Sequence, residues 1–229
     1  MTDAAVTRNF ESPSGKQTGM RASAVLIWAL IIACALAFIF AYATRYFVHY
    51  DAATFGPYWP RRGALLLHIG GAIVALLTAP WQFWSGYRRM PMAVHRWTGR
   101  VFVAAVALGS VSAVYLSLTT TFGWAFGLGT IALNVAWVAT TCMAVYAIRH
   151  RQIELHKQWM IRAYVVTFAF VVIRLFNDVL PTSALAGKDL AITLSWAGWA
   201  VPLLATELIL QARQIHKTLR HMQRPGAVA

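Results

Sequence analysis

Six apolar runs divide this chain, and their length constrains the fold more than any other feature. A helix needs about 20 mostly apolar residues to cross a bilayer, and each run is roughly that long or longer. The runs cover residues 22–47, 63–87, 97–118, 124–148, 159–180 and 190–211. We therefore predict an all-α fold, a polytopic membrane bundle of about six transmembrane helices.

The composition excludes an ordinary soluble domain. Of the 229 residues, 59% are hydrophobic and 12% are charged, whereas soluble domains carry about a quarter charged residues. We predict a transmembrane bundle over residues 22–212, a disordered cytoplasmic tail over 1–21 and a basic cytoplasmic tail over 213–229. The two cysteines, Cys34 and Cys142, lie in separate apolar runs without metal-binding spacing, so no metal site is expected from them.

The distribution of positive charge predicts how the chain is threaded. The net charge is +13, but the basic residues lie in short segments between apolar runs. This arrangement indicates membrane topology and argues against nucleic-acid binding. With the N-terminus inside, fifteen Lys and Arg residues fall on the inner side and four on the outer side. Positive residues favour the cytoplasmic side, so both termini are predicted to be cytoplasmic, with the lipid bilayer as the surrounding partner.

Two matched polar stretches connect apolar runs on the predicted cytoplasmic side. They read RRMPMAVHRWTGR over residues 88–100 and RHRQIELHKQWMIR over residues 149–162. In each, a histidine follows the first arginine by seven residues, which gives the pairs Arg88/His95 and Arg149/His156. The match predicts a repeated helical hairpin.

The histidines of these stretches are candidate ligands. His95 and His156 lie near the starts of two helices that run in the same direction, so they can face each other at one depth. Neutral imidazoles so placed can clamp a haem iron, and Arg100 and Arg162 could pair with its propionates. The alternative is that these residues are ordinary interface anchors.

Polar residues inside the apolar runs are a second set of candidates, because such residues are costly in lipid. His68 and Arg174 are predicted at similar depth, and with Asn177 and Asp178 they could line one outer pocket. Alternatively, Arg174 pairs with Asp178, and a neighbouring carbonyl satisfies His68.

Two further polar residues lie in these runs. Gln82 follows His68 by fourteen residues, about four helical turns, so both side chains point from one face. Glu207 could form a salt bridge with an arginine of the matched stretches or pass a proton to one of their histidines, and we favour the salt bridge.

Three segments resemble a known family. LLHIGGAIVALLTAPWQF from Leu66, HRWTGRVF from His95 and LHKQWMIRAYVVTFAFVVIRL from Leu155 are similar to small bacterial membrane proteins catalogued as domain of unknown function 2306. The resemblance implies a multi-pass protein of the bacterial inner membrane and implies no activity. The candidate cofactor-binding residues that it shares with the physical argument are His68, Gln82, His95, Arg100, His156, Arg162 and Arg174.

A looser likeness exists to membrane cytochromes b, which hold haem between histidines of a helical bundle. Those proteins carry two histidines about four turns apart on one helix, whereas this chain has Gln82 in the second place. This departure argues against two haems and leaves a single b-type haem or none.

Three functions remain open from the sequence. The first, which we favour, is a redox protein that binds a b-type haem or quinone. The second is a transporter for a small solute or protons, because parallel repeats build some transporter folds. The third is a membrane scaffold or assembly partner without chemistry of its own, in which the arginines of the matched stretches bind lipid headgroups or another membrane subunit. Its partner would be another membrane protein or, in a homo-oligomer, a second copy of the chain.

Overall fold

The computed structural model describes residues 14–87, 91–179 and 187–222. Most of the chain in these ranges is helical, and the ranges contain no strands. Much of the predicted N-terminal tail, Arg88 and Arg89 of the first matched stretch, and residues 223–229 lie outside the described residues.

Nine α-helices follow one another in the described ranges. A π-helical turn, Ile39–Ala43, and a 3-10 helix, Gly56–Arg61, lie among them. The α-helices are α1 (Ser14–Phe38), α2 (Arg45–Val48), α3 (Ala52–Phe55), α4 (Arg62–Tyr87), α5 (Met92–Leu118), α6 (Trp124–Arg149), α7 (Ile153–Thr167), α8 (Ala169–Val179) and α9 (Lys188–Met222).

Six stretches of helix are long and apolar enough to cross a membrane, which confirms the predicted fold class. They are Val25–Val48, Ala52–Gly86, Met92–Leu118, Trp124–Arg149, Ile153–Asp178 and Lys188–Arg220. Many large apolar side chains on them are exposed, among them Leu26 at 70% and Val111 at 73%. Lipid is the solvent in which such a surface is favourable.

Two antiparallel hairpins, α4–α5 and α6–α7, form the centre of the bundle. Helix α9 packs against α6, α7 and α8, and α1 packs against α4 and α8. We call the end of the bundle where α4 ends and α5 begins the His95 end, and the end where α4 begins the Arg61 end.

Small residues allow the central helices to approach closely. Ala75, Ala79 and Ala105 are almost fully buried in the core between α4 and α5. At Gly71 of α4, an added Cβ would lie 2.8 Å from the backbone oxygen of Ala105. In lipid the hydrophobic effect does not drive helices together, so close packing of one backbone against another contributes to their association. It also fixes the residues of α4 against those of α5.

The last two apolar runs differ in detail from the sequence prediction. The fifth is broken into α7 and α8 at Phe168, whose amide donates to the Tyr164 oxygen. The sixth continues well past the predicted end of the bundle at residue 212, as an exposed helix to Met222.

Candidate functional site

His68 lies on α4 with one imidazole nitrogen held by α5. Its Nδ1 is 3.0 Å from the carbonyl oxygen of Gly109. A carbonyl can only accept a hydrogen bond, so Nδ1 carries the hydrogen and Nε2 carries a lone pair. The prediction that a neighbouring carbonyl satisfies His68 is confirmed. The bond also leaves Nε2 as the nitrogen available to a ligand.

His68 lines a cavity of about 140 Å³ between α4, α5, α6, α7 and α8. A cavity of about 150 Å³ lined by apolar side chains can hold a benzene molecule, so this one has room for a single aromatic ring. The Phe170 ring meets the imidazole edge-on, with 5.8 Å between the ring centroids. The other large side chains of the wall are Tyr58, Leu65, Phe126, Leu133 and Trp137.

Most polar groups of the cavity wall already have partners. Trp137 Nε1 donates to Thr167 Oγ1 over 2.8 Å, and Thr130 Oγ1 donates to Ser117 Oγ over 2.8 Å. Asn134 is the exception. Its Nδ2 donates weakly to Ser110 O over 3.4 Å, while its Oδ1 is buried without a hydrogen-bond partner in the described part of the chain. An unsatisfied buried acceptor is costly, so the wall favours a ligand that supplies a donor.

At the His95 end, His95 lies in a hydrogen-bond network that links α4 to α5. Its Nδ1 is 3.0 Å from Ser85 Oγ, and that hydroxyl donates to Gln82 O over 3.1 Å. Ser85 therefore accepts from Nδ1–H, which again leaves Nε2 with the lone pair. Gln82 is buried and donates from Nε2 to the His95 carbonyl oxygen over 2.9 Å and to Thr98 Oγ1. Since His68 and Gln82 both bond to α5, they share one face of α4, as the sequence predicts.

His156 has the same arrangement on the second hairpin. Its Nδ1 is 2.8 Å from the Ala144 carbonyl oxygen of α6, so its Nε2 is also the free nitrogen. The imidazoles of His95 and His156 are close enough to interact electrostatically. The structure therefore places the two matched histidines at the same end of the bundle, each hydrogen-bonded within its own hairpin. In the described ranges, no three His, Cys, Asp or Glu side chains gather into a metal-binding group.

The two predicted arginine partners of these histidines differ in their surroundings. Arg100 is exposed, with its guanidinium 5.6 Å from the centre of the Trp97 ring. Arg162 is buried on α7 and forms a salt bridge with Glu207 of α9, with 2.5 Å between Nη2 and Oε2. The predicted salt bridge of Glu207 is confirmed, and it occupies the Arg162 guanidinium.

Arg174 contacts a residue that the sequence did not associate with it. Its guanidinium lies 4.7 Å from the centre of the Tyr42 ring, and the Tyr42 hydroxyl donates to Asp178. Arg174 and Asp178, both described, form no ion pair with each other, so that alternative is wrong. Asn177 donates to Asp178 over 3.3 Å. Arg174, Asn177 and Asp178 thus form a junction with the first span, while His68 lines the cavity.

Three residues of these clusters were missed by the sequence argument. Ser85 and Tyr42 carry no signal in the sequence, because their partners come from other helices. Asn134 offered a signal, since an amide in the middle of an apolar run needs a partner in lipid.

Among comparisons with known proteins, one family model matches the chain. No curated protein and no solved structure matches the chain. The model of the family described as "Predicted membrane protein (DUF2306)" matches residues 65–210, which is more than half of the chain and includes both hairpins. The chain therefore belongs to the DUF2306 family of predicted membrane proteins.

Proposed function

We propose that this protein is a redox protein of the bacterial inner membrane that binds the ring of a quinol or quinone in the His68 cavity. The observation that carries the proposal is the imidazole itself. Its Nδ1–H is fixed by Gly109 O, and it lines an aromatic-walled cavity with room for one six-membered ring. A porphyrin does not fit that cavity, because pockets for drug-sized ligands are already about 300 Å³ or larger.

The chemistry follows from which imidazole nitrogen carries the hydrogen. A quinol hydroxyl can donate to His68 Nε2, and oxidation of the quinol releases two electrons and two protons. His68 takes one proton at Nε2, while its Nδ1 bond to Gly109 holds the ring in place. The second proton passes to water, and the two electrons pass one at a time to an external one-electron oxidant, a haem or iron–sulfur protein, which the reaction requires.

By the positive-inside rule, the His95 end is the proposed cytoplasmic end and the Arg61 end the proposed outer end. His68 is six residues into α4, about 9 Å along the helix from its start at Arg62. The cavity therefore lies in the outer half of the bilayer. Residues 1–21 and 213–229 remain the proposed cytoplasmic tails. The first overlaps α1, which is helical from Ser14, and the second begins within the exposed end of α9.

The proposal is tested by comparing two substitutions of His68, one to asparagine and one to glutamine. Asparagine can keep a donor near the Nδ1 position but has no group at Nε2, whereas glutamine can place its amide near Nε2. We expect His68→Asn to weaken binding of hydroquinone, the unsubstituted quinol, about fivefold, because a lost hydrogen bond is worth about 1 kcal/mol. His68→Gln should keep more of the affinity. Binding is measured by calorimetry on the detergent-purified protein.

His216→Ala is the control for this pair, because His216 is exposed on the far part of α9. This variant should bind hydroquinone as the wild type does. Equal affinity of wild type and His68→Asn for the quinol would refute the proposal. Absence of measurable binding by the wild type would do the same.

The pair His95 and His156 favours a second candidate, a single b-type haem at the His95 end. Both imidazoles keep Nε2 free and lie within electrostatic reach of each other, and the exposed Arg100 is free of any carboxylate in the described structure. A bound haem would supply one-electron chemistry.

The haem candidate predicts a Soret band in the visible spectrum after haem-replete expression. We expect His95→Ala and His156→Ala each to abolish the band, since removing either ligand loses iron coordination. His216→Ala should retain it. A wild-type protein without the band removes this candidate and leaves the quinol site untouched.

A further inference from the structure

Two adjacent arginines, Arg61 and Arg62, mark the junction between the 3-10 helix and α4. Arg61 is 9% exposed. Its guanidinium donates to the Thr119 carbonyl oxygen, to Thr119 Oγ1 over 3.1 Å and to Pro57 O over 2.8 Å. All of these acceptors are neutral. Arg61 therefore links the end of α5 to the start of α4, and these contacts do not neutralise its positive charge.

Arg62 is held in a similar way by neutral groups. Its Nε donates to the Tyr50 hydroxyl over 2.8 Å, and its Nη1 donates to Trp59 O over 3.1 Å. The guanidinium stacks on the Trp59 ring, with 4.5 Å to the ring centre. These contacts fix the side chain in one position, as is needed in a preformed binding site.

No carboxylate offsets these two charges in the described structure. Five of the seven acidic residues of the chain lie in the described ranges, and none forms an ion pair with Arg61 or Arg62. The nearest in sequence, Asp51, accepts from the Thr54 amide over 2.8 Å and from its hydroxyl. The hydrogen bond from the Thr54 amide lowers the pKa of Asp51, so this carboxylate stays charged. It caps its own helix. Buried cations without an anion are costly.

The arginines open onto a cleft of about 350 Å³ that Tyr50 and Tyr115 also line. We propose that this cleft binds a phosphate group, either of an anionic lipid or of free phosphate. Guanidinium groups present several N–H donors in a plane that matches phosphate oxygens. Tyrosines are enriched where lipid headgroups lie. This site is independent of the proposed quinol cavity.

Arg62→Gln is the variant that tests the site, because Arg61 also supports the end of α5 and its loss can unfold the protein. Arg45→Gln is the matched control, since Arg45 is exposed on α2 and bonds only to the neighbouring Tyr46 in the described structure. Native mass spectrometry measures lipid retained from micelles that contain equal phosphatidylglycerol and phosphatidylcholine. Calorimetry measures binding of inorganic phosphate in phosphate-free buffer.

We expect wild type and Arg45→Gln to retain phosphatidylglycerol preferentially, and Arg62→Gln to lose about tenfold of this preference, the worth of one charged hydrogen bond. Retention that inorganic phosphate does not displace assigns the site to lipid. Phosphate binding at one site per chain that Arg62→Gln weakens assigns it to free phosphate. If Arg62→Gln changes neither measurement, or wild type binds neither probe, the proposal is overturned.

Discussion

Glu207→Leu is expected to lower the free energy of unfolding by about 2 kcal/mol, because removing one partner of an ion pair leaves a buried charge behind. The loss is smaller than for a fully buried pair, since the Glu207 side chain is 39% exposed. The charge left behind is Arg162, whose side chain is 8% exposed. In the native protein both Nε and Nη2 of Arg162 contact Glu207 Oε2, over 2.8 and 2.5 Å. Its Nη1 is already buried without a hydrogen-bond partner in the described structure, so no spare acceptor is at hand. Unfolding is followed in detergent micelles by titration with a denaturing surfactant.

The chain provides a matched control for this experiment. Glu154 and Lys157 form an ion pair at 2.6 Å, but their side chains are 76% and 60% exposed. Glu154→Leu should leave the unfolding free energy nearly unchanged, because exposed pairs contribute little. The double variant Arg162→Leu with Glu207→Leu should regain most of the lost stability, since neither charge is then left alone. A Glu207→Leu protein as stable as wild type would contradict the burial of Arg162 against α9.

The salt bridge also bears on how the last span is held. Gln211 donates to the second carboxylate oxygen of Glu207 over 2.8 Å, so Glu207 is fixed from its own helix and from α7. Beyond Gln211 the side chains of α9 are exposed where they are described. The Arg162–Glu207 contact is therefore the polar attachment of α9 near the point where it leaves the bundle.

The number and type of spans could be predicted from the sequence because bilayer thickness sets the length of an apolar helix. That His95 and His156 lie at the same end of the bundle was also accessible, since two copies of one pattern at equal spacing produce two similar hairpins. The salt bridge of Glu207 followed from the cost of an unpaired acid in lipid. Each of these inferences depends on one segment or on its repeat.

The partners of Arg174 were not accessible in this way. A pairing with Asp178, one turn along the same helix, was a local inference. In the folded chain Tyr42 intervenes, and it belongs to a span more than 130 residues earlier. The cavity at His68 was hidden for the same reason, because its wall combines side chains from several helices. Sequence periodicity gives the face of a helix but not the residue that another helix places against it.

Gly71→Ala is expected to lower the free energy of unfolding by about 2 kcal/mol, in the range measured for overpacked cores. A Cβ at position 71 would lie 2.8 Å from the Ala105 oxygen and 3.0 Å from the Gly109 amide nitrogen. These are backbone atoms of α5, which cannot turn away as a side chain can. Helix α5 must therefore move from α4, and the same movement pulls the Gly109 carbonyl from His68 Nδ1.

A substitution at the adjacent glycine, Gly70, separates the steric effect at Gly71 from the difference in helix propensity between glycine and alanine. Gly70 has no atom within 4 Å of an added Cβ beyond its own helix backbone and chain neighbours, so Gly70→Ala should be neutral or stabilise the protein by up to about 1 kcal/mol. Both variants are compared by surfactant titration and by hydroquinone binding, and Gly71→Ala alone should weaken the binding. Equal stability of the two variants would mean that α4 and α5 do not touch through their backbones. The fixed Nδ1 bond of His68, on which the proposed proton transfer depends, would then lose its structural basis.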